Sequence, residues 1–157
     1  MRVEQLMTRK VHTVDVNASL RAAATIMREE DVGVVPVVEG RRVVGVLTDR
    51  DICLAAERTD RPLSQQRVSR VMSRAVQTCL PDEPIADVEE RMRRGQVRRM
   101  LVTDDDRCLL GILSLNDIAL ASRNVRQDGV TRDEVARTLA AICEHRQPPR
   151  FRLRRVV

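Results

Sequence analysis

The chain of 157 residues has one phenylalanine and neither tyrosine nor tryptophan. Stacking platforms for bases and cages for quaternary ammonium groups both need aromatic rings, so neither can be the main recognition device. The interior must be built from Val, Leu, Ile, Met and Ala. Lysine is nearly missing as well. Lys10 stands alone, and the net charge of +5 is carried by arginine, whose planar fork pairs with phosphate oxygens two at a time. The four cysteines, Cys53, Cys79, Cys108 and Cys143, are widely spaced, with no C-x-x-C, and the two histidines are far apart. Neither a zinc site nor a disulfide framework is expected, and isolated cysteines in apolar runs read as small buried side chains. No signal peptide opens the chain and no apolar run is long enough to span a bilayer, so a reduced, cytoplasmic location is expected.

What the chain does have is a repeat. Met7-Thr8, Val11-His12-Thr13-Val14, an amphipathic stretch, Val34-Val35-Pro36-Val37-Val38 and Gly45-Val46-Leu47-Thr48-Asp49-Arg50-Asp51-Ile52 form a first unit. Met72-Ser73, Val76-Gln77-Thr78, a second amphipathic stretch, Arg99-Met100-Leu101-Val102 and Gly111-Ile112-Leu113-Ser114-Leu115-Asn116-Asp117-Ile118 form another. The offset is 65 residues up to the middle strand and 66 beyond it, which places a one-residue insertion near Asp104-Asp105-Asp106. A unit this small buries too little apolar surface to stand alone, so the two are expected to pack face to face with related clefts between them.

Each unit reads strand, helix, strand, strand, helix. In the first, Val11 to Val16 leads in, and Asn17-Ala18-Ser19 caps a helix whose apolar face is Leu20, Ala23, Ala24 and Met27. Two apolar strands joined at Glu39-Gly40-Arg41-Arg42 are expected to be buried on both faces, and a helix runs from Asp49 to Ala56 with Thr48 at its mouth. In the second, Pro81-Asp82-Glu83-Pro84 places a proline in the first helical turn, and Ile85, Val88 and Met92 face inward. Ser114 opens the last helix. The polar stretch from Thr59 to Gln66 connects the units. Beyond them, Thr131 and Glu134 form a capping box for an extra helix with Val135, Leu139 and Ile142 on its apolar face, stopped by Pro148-Pro149. The alternating tail Arg150–Val157 fits either a basic disordered end or an added edge strand. The divisions are thus 1–58, 59–67, 68–123 and 124–157, and the fold class is α/β.

The doubled Met-Thr/Ser, V-x-T, hydrophobic-Pro-Val-Val and G-h-h-[ST]-x-x-D pattern resembles a tandem pair of CBS (cystathionine β-synthase) domains over roughly residues 1–123. The resemblance implies a regulatory or sensing module that requires no cofactor and binds adenosine derivatives as ligands: AMP, ADP, ATP, sometimes S-adenosylmethionine. It also implies a disc-like homodimer acting on a protein partner in trans.

The chemistry of such a site can be argued from the residues. Thr48 stands at a helix N-terminus, where free amides and the dipole favour a phosphate. Asp51, one turn on, suits the two hydroxyls of a ribose, while Thr13 and Val14 offer backbone and apolar contacts to a base. In the family, basic residues just before the middle strand of one unit meet phosphates held by the other, which the resemblance carries onto Arg98 and Arg99. The better cleft is therefore assigned Thr13, Val14, Thr48, Asp51, Arg98, Arg99 and Asn116. The weaker is assigned Thr78, Cys79, Ser114, Asp117 and a compensating Arg50. The first unit has Gly33-Val34 where the second has Arg98-Arg99, so the weaker cleft lacks those two guanidiniums. Repeat two also has Leu101 in place of Pro36.

Thr48 and Ser114 also serve as plain helix caps, with Asp51 and Asp117 as first-turn acids favoured by the dipole. Asp104-Asp105-Asp106 reads as a solvated turn, and the methionines as packing. The basic balance raises nucleic acid as an alternative partner, but no recognition module is present and specific binding is not expected. A ligand-free interaction module is the other alternative. No phosphate loop, nucleophile elbow or H-E-x-x-H is found, so the chain is not expected to be an enzyme.

Overall fold

The computed structural model describes residues 1–123 and 130–144. Each unit builds one mixed three-stranded sheet. In the first, β1 (Val14–Asp15), β2 (Val34–Glu39) and β3 (Arg42–Thr48) lie in that order, β1 parallel and β3 antiparallel to β2. Helices α1 (Leu20–Glu29) and α2 (Asp49–Glu57) complete it. In the second, β4 (Thr78–Cys79), β5 (Arg99–Thr103) and β6 (Leu109–Ser114) repeat the order, with α3 (Ile85–Gly95) and α4 (Leu115–Ala121). Helix α5 (Arg132–Cys143) is added after the repeats and packs on α3 and α4. This is the expected α/β architecture with two strand-helix-strand-strand-helix units and an extra helix.

The caps explain where the helices start. Ser19 accepts from the Ala22 amide, while Thr48, Ser114 and Thr131 each form a reciprocal box with the acid three residues on. The first strand is only two residues long, because β1 meets just Val37 and Val38 of β2. Pro84 is the N-cap of α3, with extended ψ of 137°, and lies outside the first turn. Strand β2 is buried along its middle, but β3 alternates, leaving Val44 and Val46 half-exposed. In α5 the inward face is Val135, Thr138 and Ile142, whereas Leu139 is 47% exposed. Thr138 takes the inward place because it has polar partners there. The insertion sits in the β5–β6 turn, where Arg107 adopts a φ of 63° and the Asp104 carboxylate accepts from the Cys108 amide at 2.7 Å. His145, Pro148-Pro149 and the Arg150–Val157 tail lie outside the described residues.

Packing does not follow the linear repeats. Val3 and Met7 belong to the core of the second unit, with Ile85, Met92, Met100 and Leu113. Val68 and Met72 belong to the core of the first, with Leu20, Val35, Val37 and Leu47. Each leading segment therefore crosses to the other unit. The crossings are pinned by reciprocal backbone bonds: Thr8 with Ile112, both at 2.9 Å, and Ser73 with Val46, both at 2.9 Å. Gly111 and Gly45 make room for them. A Cβ on Gly111 would stand 2.9 Å from the Thr8 carbonyl oxygen, and one on Gly45 would stand 2.6 Å from the Met72 sulfur. The doubled Met-[ST] and Gly-h-h motifs are thus two halves of one contact, made twice.

Candidate functional site

Two clefts related by the internal repeat lie between the units. The larger, about 690 Å³, is bounded by the start of α2 (Thr48, Asp49, Arg50), by Ala75-Val76-Gln77 and by Gln96 to Arg99. Its apolar lining is Val34, Val46, Val76, Val97, Leu101 and Ile112. The smaller, about 230 Å³, is bounded by Ser114, by Lys10-Val11-His12 and by Asp31, Val32 and Val34. The larger falls within the usual range for small-molecule sites and the smaller falls below it.

Three guanidiniums, those of Arg50, Arg98 and Arg99, border the larger cleft against one carboxylate, Asp49. All three arginines are exposed, so their side chains are hydrated and able to reach an incoming anion. Arg98 and Arg99 enter because they precede and begin β5, next to the α4 mouth: the Arg98 carbonyl accepts from the Leu115 amide at 2.9 Å. Arg99 borders both clefts. The smaller cleft has Lys10 and His12 as its own basic groups, and His12 Nε2 stands 3.1 Å from Glu30.

The structure brings Thr48, Arg98 and Arg99 together. It does not bring Thr13 and Val14 to them. Val14 is 3% exposed in the core of the first unit, and Thr13 lines a separate shallow hollow with Arg9 and Arg41. The reason is the crossing: once Thr8 has paired with Ile112, residues 10–12 emerge beside Ser114, and by the same geometry residues 75–77 emerge beside Thr48. The leading strands are therefore exchanged between the clefts relative to the sequence assignment. Thr78 pairs with Leu101, a residue of the larger cleft, not with the Ser114 side. Cys79 is 2% exposed in the core, and burial, then the nearby Glu83, push its thiol up to about 11 despite Arg91. Arg50 belongs to the larger cleft, and Asn116, its counterpart, is exposed and lines neither. Ala75, Val76, Gln77, Lys10 and His12 line the clefts without being part of the sequence assignment. The signal was the pairing of Met-[ST] with glycine, legible only as a long-range contact.

The helix mouths are occupied by the protein's own groups. At α2, the Asp49 amide donates to the Gly33 carbonyl at 3.1 Å, the Arg50 amide to Asp49 Oδ1 at 2.7 Å, and the Asp51 amide to Thr48 Oγ1 at 3.2 Å. The amides expected to be open to a phosphate are therefore satisfied. Asp51 Oδ2 accepts from the Thr48 amide at 2.9 Å and its hydroxyl at 2.7 Å, so this carboxylate first serves the cap. Asp117 does the same for Ser114, at 2.8 and 2.6 Å. Anion attraction in the larger cleft falls to the guanidiniums. Among the described residues no cluster of three potential metal ligands occurs, and no helix is long and apolar enough to cross a membrane.

The CBS domain family model matches residues 3–58 and 68–124. The chain belongs to the CBS domain family. This CBS pair is 37% identical over 118 residues to the CBS domain-containing protein YhcV of Bacillus subtilis (strain 168), covering 75% of this chain and 83% of that one. It is also 37% identical over 117 residues to a homoserine O-acetyltransferase of Methanococcoides burtonii, where the match covers 74% of this chain but 23% of the enzyme. Among solved structures, the CBS domain pair of protein MJ0100 in complex with 5'-methylthioadenosine and S-adenosyl-L-methionine superposes with a TM-score of 0.68 at 26% identity, covering 76% of this chain and 94% of that one.

Proposed function

We propose that this CBS pair is a sensor of adenine nucleotides, binding AMP, ADP or ATP in the larger cleft, and that it acts as a homodimer on a partner in trans. The observation that carries the reading is the convergence of Arg50 from one unit with Arg98 and Arg99 from the other on a single cleft with an apolar wall. Such a wall suits a base and such a cluster suits phosphate oxygens. The adenosine-type ligands of the MJ0100 pair support the ligand class. The exchange of leading segments supports a base held among Val34, Val76, Gln77 and Val97 of the same cleft, in place of Thr13 and Val14. Asp51 lies one turn into α2, outside the cleft lining, with its Oδ2 on the cap.

A thermal-shift series on the nucleotide-stripped protein with AMP, ADP, ATP, S-adenosylmethionine and adenosine tests the reading. A ligand at 100 times its Kd adds about 2.7 kcal/mol to stability, a shift of several degrees in Tm. A rise with a phosphorylated ligand that exceeds the rise with adenosine supports it. No rise with any of the five refutes it.

A further inference from the structure

Helix α5 lies outside both repeats, yet it is fastened to the wall of the arginine cleft by polar groups. Glu89, 2% exposed, and the fully buried Thr138 meet between α3 and α5. The Thr138 hydroxyl donates to Glu89 Oε1 at 3.1 Å and accepts from Arg93 Nη1 at 2.9 Å. One turn on, α3 is capped by Gln96, held in the left-handed region with a φ of 47°. Its side-chain amide donates to the carbonyls of Ala141 and Glu144, at 3.2 and 3.1 Å, at the C-terminal end of α5. The same residue lines the cleft and leads through Val97 into Arg98 and Arg99.

A residue with a Cβ adopts this backbone conformation only where its surroundings hold it, at a cost of about 1–2 kcal/mol. At Gln96 part of that hold comes from α5. The apolar part of α5's docking is modest: Ile142 is its one buried apolar residue, with Val135 partly buried. A helix docked this lightly opens more readily than the cores do. We infer that docking of α5 and occupancy of the arginine cleft are coupled through Gln96, so that α5 reports the ligand to whatever the module regulates. This rests on the nucleotide reading above. A ligand that fixes residues 96–99 holds the Gln96 amide against the α5 carbonyls and so tightens the helix. By linkage, complete undocking of α5 weakens the ligand by the factor with which the ligand favours docking.

Hydrogen exchange on the full chain, with and without saturating AMP, tests the coupling. In wild type, AMP slows exchange across residues 132–143 by about fivefold or more, the lower end of typical coupling. Thr138→Asp, remote from the cleft and set against the buried Glu89, undocks α5, so residues 132–143 lose protection and AMP weakens by the factor with which it slows their exchange in wild type, while Thr138→Ser stays near wild type in both. In Gln96→Ala, exchange over 132–143 no longer responds to AMP. Circular dichroism confirms that each variant is folded. AMP binding with no change over 132–143, or an undocked α5 in Thr138→Asp with AMP affinity within about twofold of wild type, overturns the coupling and leaves the nucleotide reading standing. No binding of AMP, ADP or ATP removes both.

Discussion

Replacing Gly111 by alanine tests the crossing on which the layout of both clefts depends. The new Cβ would stand 2.9 Å from the Thr8 carbonyl oxygen, 3.0 Å from the Met7 sulfur and 3.3 Å from its Cγ. The nearest atom is backbone, so no side-chain rotation relieves it. That same oxygen accepts from the Ile112 amide at 2.9 Å, and the Thr8 amide donates back to Ile112 at 2.9 Å. Overpacking of a tight site costs about 1–3 kcal/mol, and a disturbed backbone bond adds about 0.5–1.5 kcal/mol each. Gly111→Ala is therefore expected to lose about 2–4 kcal/mol, read as a lower midpoint in urea unfolding. Gly45→Ala should lose less, because its nearest neighbour is the Met72 sulfur at 2.6 Å, the end of a flexible side chain, with the Ser73 carbonyl at 3.0 Å. Gly40→Ala is the contrast. It has nothing within 4 Å but a φ of 61°, so only the conformational cost of about 1 kcal/mol applies. Gly111→Ala within about 0.5 kcal/mol of wild type would show that the crossing is not tight, and the exchange of leading segments would lose its support.

Arg99→Ala should weaken AMP by about 10- to 150-fold, the equivalent of one charge-assisted contact of about 1.5–3 kcal/mol, and adenosine far less; equal losses in calorimetry would show that Arg99 does not meet phosphate. Native-state alkylation at pH 8 should label the exposed Cys53 and Cys143 and spare Cys79, whose buried thiol is pushed up to about 11; rapid labelling of Cys79 in folded protein would contradict its place in the core. Burial raises the Glu89 carboxyl above its ordinary range, Thr138 and Arg93 drawing it back and Glu134 adding to the rise. The folded state then holds the proton more tightly than the unfolded one. Its contribution is present in acid, below the ordinary carboxylate range, and is lost as pH rises through the folded value. Glu89→Gln, which faces the same Arg93, Glu134 and Arg137, should therefore be more stable than wild type at pH 7, with the gain fading toward pH 4 in urea titrations. A gain independent of pH would assign the effect to packing.

The elements were legible because their signals are local. Ser19, Thr48, Ser114 and Thr131 each cap the helix that follows, and the 65-residue echo gives the second unit once the first is read. Arg98 and Arg99 come from the family resemblance, and Gly33-Val34 marks the first unit as lacking a basic counterpart there. What stayed hidden is set by contacts across the molecule. Nothing near Thr13 reveals that Thr8 pairs with Ile112, and without that bond the leading strands fall to the wrong clefts. Helical spacing favours Leu139 for the inward face of α5, but the burial of Glu89 with Arg93 nearby draws Thr138 inward instead. The helix-mouth amides looked open because a neighbouring carbonyl such as that of Gly33 cannot be read from the strand that carries it.

Calorimetric titration of the stripped chain with AMP, beside the Arg98→Ala/Arg99→Ala double variant, decides whether the arginine cleft holds a phosphorylated adenine nucleotide. Binding near one AMP per chain is expected in wild type, with a loss of more than about 100-fold in the double variant, from two charge-assisted contacts. Unchanged affinity in a folded double variant, or no heat with AMP, ADP or ATP in wild type, would contradict nucleotide binding there.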